Sequence, residues 1–209
     1  RDRDVTGVQT CALPILVFAS SISYPTEAST TRCESATSSS PANHSELRSL
    51  PMSFTLPLLS RSMKALVSNG KNDLNLLDLP EPVCGPDDLI IKTQQIGVCG
   101  TDLEIIHNKM DPEYIRYPAT IGHEWTGKVI EIGSNVKGFD IGQRVVVEGL
   151  IPCQKCHECA IGATNRCLTY DEIGFTRPGG GSEKVLIPAR MAHKINENVT
   201  VESAQLAEP

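Results

Sequence analysis

CQKCHECAIGATNRC (153–167) places four cysteines in fifteen residues, in the order C-x2-C-x2-C-x7-C. Thiolates this dense suit a closed tetrahedral zinc site made of Cys153, Cys156, Cys159 and Cys167. A site with four protein ligands leaves no position for chemistry, and its work is to fix a loop that has little apolar core of its own. Two other readings stand beside it. An iron–sulfur cluster shares the C-x2-C-x2-C start, but the third gap is seven rather than three and no proline follows Cys167. Four free or buried thiols are the other, against which the regular spacing argues. His157 lies between ligands and is expected outside the ligand set.

Working outward, the 209 residues suffice for one good domain plus a tail, or two small domains. Aromatic residues make up 4% of the chain, so the core must rest on Val, Ile and Leu. The formal net charge is -6, and the residues from Met63 onward carry all of it, with 14 Lys plus Arg against 20 Asp plus Glu. An acidic chain without a basic stripe is a poor nucleic-acid binder and has no reason to lie on an anionic membrane. No stretch approaches the roughly 18 apolar residues of a membrane span. Cysteines bunched in this way favour metal binding in a reducing compartment, which places the chain in the cytoplasm.

Residues 1–62 read as a disordered or spurious extension. From Ser20 to Ser40, 12 of 21 residues are Ser or Thr, too little apolar surface to offset the entropy of ordering. The opening RDRDVTGVQTCALPI (1–15) resembles translated sequencing-adapter read-through, which would put the start at Met52 or Met63. A signal peptide over 13–20 and an organellar transit peptide remain alternatives, and the latter leaves organellar import open.

The folded pattern begins at Met63. MKALVSNG (63–70), NLLDLPEP (75–82), DDLIIKTQQIGVCG (87–100), VIEIG (129–133), RVVVEG (144–149) and SEKVLIPAR (182–190) read as strands. TDLEIIHNK (101–109) has helical spacing, with Thr101 as cap and Glu104 three residues on. Val199–Glu208 reads as the start of another helix. Short strands with Gly and Pro turns predict a mostly β fold, a small β-barrel or paired sheets, with the cysteine lobe over 150–175. No G-x-G-x-x-G follows a strand and there is no βαβ rhythm, so a Rossmann domain is missing from the sequence as read. GGGS (179–182) precedes a strand, a poor phosphate cradle.

A second, dispersed set of ligands is present. Cys99 lies in VCGTD (98–102), and His123 and Glu124 lie in GHEWTG (122–127). One Cys, one His and one carboxylate are the mix of a catalytic zinc, which keeps a position open for water or substrate. Taken singly, Cys99 also reads as a core residue at a strand end and His123 as an ordinary capped histidine.

The segment 63–209 resembles the amino-terminal catalytic domain of the zinc-dependent medium-chain dehydrogenases, in particular the polyol, threonine and glucose branches. GHEWTGKVIEIGSNV (122–136) is similar to that family's zinc signature through Gly122, His123, Glu124, Gly127, Gly133 and Val136. VCGTD is similar to its first-ligand segment, and the lobe to its structural zinc site. The resemblance implies a GroES-like β-barrel with two zinc ions, one catalytic and one structural. Cys99 and His123 would bind the catalytic zinc, with Glu124 as a further ligand or a neighbour that exchanges with water. Thr101 would hydrogen-bond the substrate hydroxyl and begin its deprotonation. Glu208 corresponds to a carboxylate that approaches the same zinc in the polyol branch, or is a solvated helix residue. Where alcohol and polyol branches often carry histidine, this chain has Glu104, similar to the glucose branch. It would accept a proton or hold a sugar hydroxyl, or simply serve as a cap partner. His107 could share the relay or face solvent.

The implied reaction is oxidation of the CH–OH group of an alcohol, polyol or sugar, with NAD or NADP as hydride acceptor and a homo-oligomer as the complete enzyme. With the nucleotide domain missing, an inactive fragment is expected. The alternatives are a non-catalytic zinc-binding interaction module, with one metal in the lobe and Cys99 apart from His123, and a nucleic-acid-binding zinc ribbon, which the acidic balance disfavours.

Overall fold

The computed structural model describes residues 61–207. The readings made for residues 1–60 and for Glu208 lie outside the described residues.

β1 (Ser62–Ser68) buries Met63, Ala65 and Val67 and exposes Ser62 and Lys64, the period of two that a half-buried strand requires. It turns at Gly70 and Asn72, both at positive φ, where the Asp73 carboxylate accepts from the Asn69 amide at 2.9 Å. β2 (Asn75–Pro80) returns antiparallel to β1 as a largely exposed edge. β3 (Asp88–Ile96) is different. Leu89, Ile90 and Ile91 are consecutively buried, so both faces of the strand are covered there, and β3 is paired on both sides, to β5 (Trp125–Ile132) and to β9 (Lys184–Pro188). β6 (Arg144–Val147) and β10 (Ala192–Lys194) extend the far side. The five-stranded sheet runs β10-β6-β5-β3-β9, and the smaller one runs β2-β1-β4, with β4 at Ala119–Thr120.

One core cluster lies on the larger sheet and includes Leu89, Ile91, Val129, Val145, Val185 and Ile187 around the single tryptophan, Trp125. Each such side chain contributes about 2 kcal/mol by leaving water. The aliphatic core expected from the scarcity of aromatics is what forms. A second cluster of Ile105, Ile115, Ala119, Ile121 and Phe175 anchors α1 (Gly100–Ile106).

The sheets do not close, so the expected β-barrel is corrected to an open, mostly β domain. Among the described residues, β10 and β9 are the two free edges of the larger sheet, and the two sheets meet through the isolated bridge Ala65↔Ser182. The reason is the glycine run before β9. The amides of Gly179, Gly180 and Gly181 donate to the carbonyls of Thr120, Gly122 and Ile121, at and just after the end of β4, so pairing between the sheets is confined to the bridge at Ser182. A Cβ on Gly180 would stand 2.5 Å from the Trp125 ring. All pairs of named strands are antiparallel, so the described residues hold no parallel βαβ unit.

Other boundaries shift. β3 ends at Ile96 instead of Gly100, because Gly97 donates to the Glu124 carbonyl at 2.7 Å and turns the chain. β5 begins at Trp125, four residues before VIEIG. Thr101 does not cap α1. The cap is Cys99, whose sulfur accepts from the Thr101 amide at 3.3 Å, while Asp102 accepts from the Cys99 amide at 3.0 Å. Both C-x-x-D and T-x-x-E offer the capping-box spacing, and the turn at Gly97 selects the earlier frame. Glu104, displaced from any capping role, is exposed on the helix. The terminal helix, α3 (Val201–Ala204), starts at a Thr200 cap. Among the described residues no helix is long and apolar enough to cross a membrane.

Candidate metal centres

The first centre forms where two chain turns meet. Cys99 caps α1, and His123 and Glu124 immediately precede β5. The Gly97–Glu124 backbone bond pins these turns together. Cys99 Sγ lies 3.3 Å from His123 Nε2, and the donor atoms of Cys99, His123 and Glu124 all lie within 4.8 Å of one another. Two ligands at roughly 2.3 Å (sulfur) and 2.0 Å (nitrogen) from one tetrahedral zinc would be about 3.5 Å apart. The thiol–imidazole–carboxylate donor set therefore fits a single zinc ion with a position to spare. His123 and Glu124 are buried and Cys99 is half-buried.

Two glycines make the room. A Cβ on Gly97 would come 2.7 Å from Glu124 Oε2, and one on Gly122, at φ +97°, would come 2.9 Å from the Gly181 amide. Burial pushes the Cys99 thiol up. Hydrogen bonds from His123 and Thr101, the Asp102 amide and the nearby imidazole outweigh it and hold the thiol below its ordinary value.

Asp102 was not singled out from the sequence, yet it organises this centre. It is fully buried. Its Oδ2 accepts from the Cys99 amide, its Oδ1 accepts from the Gly122 amide at 3.2 Å, and Oδ1 stands 3.7 Å from His123 Nδ1. The C-x-x-D spacing was the available signal. Phe175 was also missed. Its ring centroid is 5.2 Å from that of His123, tilted by 50°. Thr101 sits next to the centre on the first turn of α1. Glu104 lies outside the ligand group. His107, at the end of α1, is exposed, with Nδ1 2.6 Å from Asn72 Oδ1.

The second centre is the lobe. Cys153, Cys156, Cys159 and Cys167 bring their sulfurs within 4.8 Å of one another, with Cys153–Cys159 and Cys156–Cys167 each at 3.9 Å. Thiolates at roughly 2.3 Å from a tetrahedral zinc are about 3.8 Å apart. This spacing fits one ion and is too close for the several irons and sulfides of a cluster. The lobe is the loop of a two-rung hairpin, β7 (Leu150–Ile151) with β8 (Asp171–Glu172), and carries one short α-helix, α2 (His157–Ala160), and a 3-10 turn at Thr164–Arg166. Hydrogen bonds from the Thr169 hydroxyl and then from the Lys155 and Cys156 amides bring Cys153 down to about 5. Burial, followed by the neighbouring Cys156 thiol, pushes Cys159 up to about 12. His157 points outward beside Glu158, apart from the four sulfurs.

The alcohol dehydrogenase GroES-like domain model matches residues 85–197. The L-threonine 3-dehydrogenase of Salmonella arizonae is 39% identical over 149 residues, which is 70% of this chain and 44% of that protein. Among solved structures, a dehydrogenase from Sinorhizobium meliloti 1021 bound to NADP shares 33% identity with a TM-score of 0.62, over 68% of this chain and 40% of its own. A short chain alcohol dehydrogenase from Escherichia coli CFT073, complexed with NADH, shares 31% identity with a TM-score of 0.63, over 69% and 41%. The chain thus spans less than half the length of these relatives. It belongs to the alcohol dehydrogenase GroES-like domain family, and with it to the zinc-associated medium-chain dehydrogenases.

Proposed function

We propose that this chain is the substrate-holding part of a zinc-dependent oxidoreductase that acts on the CH–OH group of a small alcohol, polyol, sugar or hydroxy amino acid, with NAD(P) as hydride acceptor. The observation that carries the reading is the 3.3 Å approach of Cys99 Sγ to His123 Nε2 beside the Glu124 carboxylate. The names of the relatives, a threonine dehydrogenase and proteins bound to NADP or NADH, support the reaction class. The domain is read as 63–209 with the lobe at 150–175.

Cys99, His123 and Glu124 would hold a zinc ion, which would supply Lewis-acid chemistry toward a substrate hydroxyl. Thr101 orients the substrate hydroxyl and takes part in moving its proton. Glu104, on the exposed side of the same helix, is assigned to a further substrate hydroxyl or to proton exit, and Glu208 to the zinc environment. Cys153, Cys156, Cys159 and Cys167 hold a second, structural zinc. The six free cysteines among the described residues support a reducing, cytoplasmic setting, and the complete enzyme is read as a homo-oligomer.

Hydride transfer requires the acceptor about 3.5 Å or less from the carbon, and no dinucleotide fold lies among the described residues. The described residues are therefore assigned the metal and alcohol, and not the hydride acceptor. The test is cobalt(II) substitution. Binding of an alcohol or a monodentate anion at an open position shifts the ligand-field bands, and Cys99→Ser removes the response. A cobalt spectrum insensitive to every added ligand contradicts the proposal.

A further inference from the structure

Resting on that reading, we infer that Phe175 is a positioning residue through which the cysteine lobe sets the metal affinity of the Cys99–His123–Glu124 centre. The path is continuous in the chain. The cysteine-bearing loop of the lobe occupies residues 152–170, between β7 and β8, and the ladder it closes has only the rungs Leu150↔Glu172 and Ile151↔Asp171. Cys153 follows β7 and Cys167 precedes β8, and the Cys153 amide donates to Cys167 Sγ at 3.3 Å.

Directly beyond β8 the chain runs onto the first centre. Ile173 is fully buried in the main core, and its amide donates to the Gly149 carbonyl at 2.9 Å. Gly174, at φ +85°, is pressed against the backbone of the centre, so that a Cβ there would come 3.2 Å from the Gly122 carbonyl carbon and the His123 nitrogen. Phe175 then lays its ring against the His123 imidazole, backed by Ile105, Ile115, Ala119 and Ile121. Its carbonyl accepts from the Arg116 amide at 3.1 Å.

A two-rung ladder is marginal by itself, and closing a long loop costs entropy. A metal that joins Cys153 to Cys167 across the base of the loop removes most of that cost. The ladder then holds Gly174 and Phe175 where they fix the imidazole plane and aim Nε2 at Cys99 Sγ. With the lobe open, Phe175 loses its anchor on one side and the His123 ring gains freedom. Linkage makes the effect reciprocal, and couplings of this kind span roughly 5- to 150-fold in affinity.

The test is cobalt(II) titration of the full chain, in which the four-thiolate lobe and the one-thiolate centre differ in charge-transfer intensity. Disabling the lobe with Cys156→Ser plus Cys159→Ser is expected to weaken cobalt binding at the first centre by about tenfold, within the usual coupling range. The same change in a Phe175→Leu background, which keeps the apolar contacts but removes the ring, is expected to cost less than about threefold, a sign of lost coupling. Should the lobe-disabled protein fail to fold, reciprocity offers a second route with the lobe intact. Cys99→Ser, which empties the first centre, is expected to weaken cobalt in the lobe by the same factor, and Phe175→Leu to abolish that effect. Two cobalt ions with equal ratios in both backgrounds overturn the coupling alone. A parent chain that takes up a single cobalt, in the lobe, overturns the coupling and the proposed function together.

Discussion

Asp102 Oδ1 stands 3.7 Å from His123 Nδ1, on the side of the ring opposite the nitrogen that approaches Cys99. The same carboxylate also binds the amides of Cys99 and Gly122. One buried side chain thus ties the backbone at Cys99 to the backbone before His123 and places a carboxylate behind the imidazole. Partners behind metal ligands commonly matter by 10- to 100-fold in affinity. Asp102→Asn keeps the shape but leaves a single oxygen to serve two amides, and turns an N–H toward the other. The expected outcome is a loss of roughly 1–3 kcal/mol in stability and about tenfold weaker zinc at the first centre. Urea unfolding and chelator competition measure the two losses, and unchanged zinc affinity would count against the role given to Asp102.

The lobe predicts an order of thiol reactivity in metal-free protein. Cys153, brought down to about 5, is thiolate at pH 7, and the thiolate is the nucleophile. Cys159, pushed up to about 12, is protonated there. Limited alkylation at pH 7 followed by peptide mass mapping should label Cys153 first and Cys159 last. The preference for Cys153 should fade as pH falls through about 5, where its thiol regains the proton. Added zinc should protect all four sites together. Labelling in which Cys159 leads would contradict the hydrogen-bond pattern described for the loop.

Gly97 and Gly180 both lack space for a side chain, with different consequences. At Gly97 the obstacle includes the mobile end of Glu124. Gly97→Ala is expected to leave the protein folded but push the carboxylate aside, with weaker zinc and a small change in melting temperature. At Gly180 the obstacle is the base of the Trp125 side chain, in the main core. Gly180→Ala is expected to cost about 1–3 kcal/mol, as overpacking usually does, with zinc affinity following stability. Thermal melts alongside zinc titrations separate the two, and equal melting losses would refute the distinction.

The two candidate metal clusters were legible in the sequence to different degrees, for a physical reason. Four lobe cysteines within fifteen residues can meet without help from the rest of the fold, so their spacing carries the site. Cys99 and His123 are 24 positions apart, and it took the resemblance to join them. The fold joins them through the backbone bond from Gly97 to Glu124. Asp102 and Phe175 escaped because an aspartate on a helix and a phenylalanine in a loop are chemically ordinary until the chain places them behind His123. The wrong capping frame at Thr101 came from two overlapping motifs of equal spacing, and only tertiary contact at Gly97 decides between them. The barrel expectation failed at Gly179–Gly181, where the sequence shows a glycine run but not the loop it grips.

The most direct measurement is zinc content by mass spectrometry of the folded chain, beside its Cys99→Ser and Cys159→Ser variants at saturating zinc. Two zinc ions per chain are predicted, with Cys99→Ser keeping only the lobe ion. One zinc per chain, unaffected by Cys99→Ser and lost in Cys159→Ser, would show that the thiol and imidazole do not share an ion.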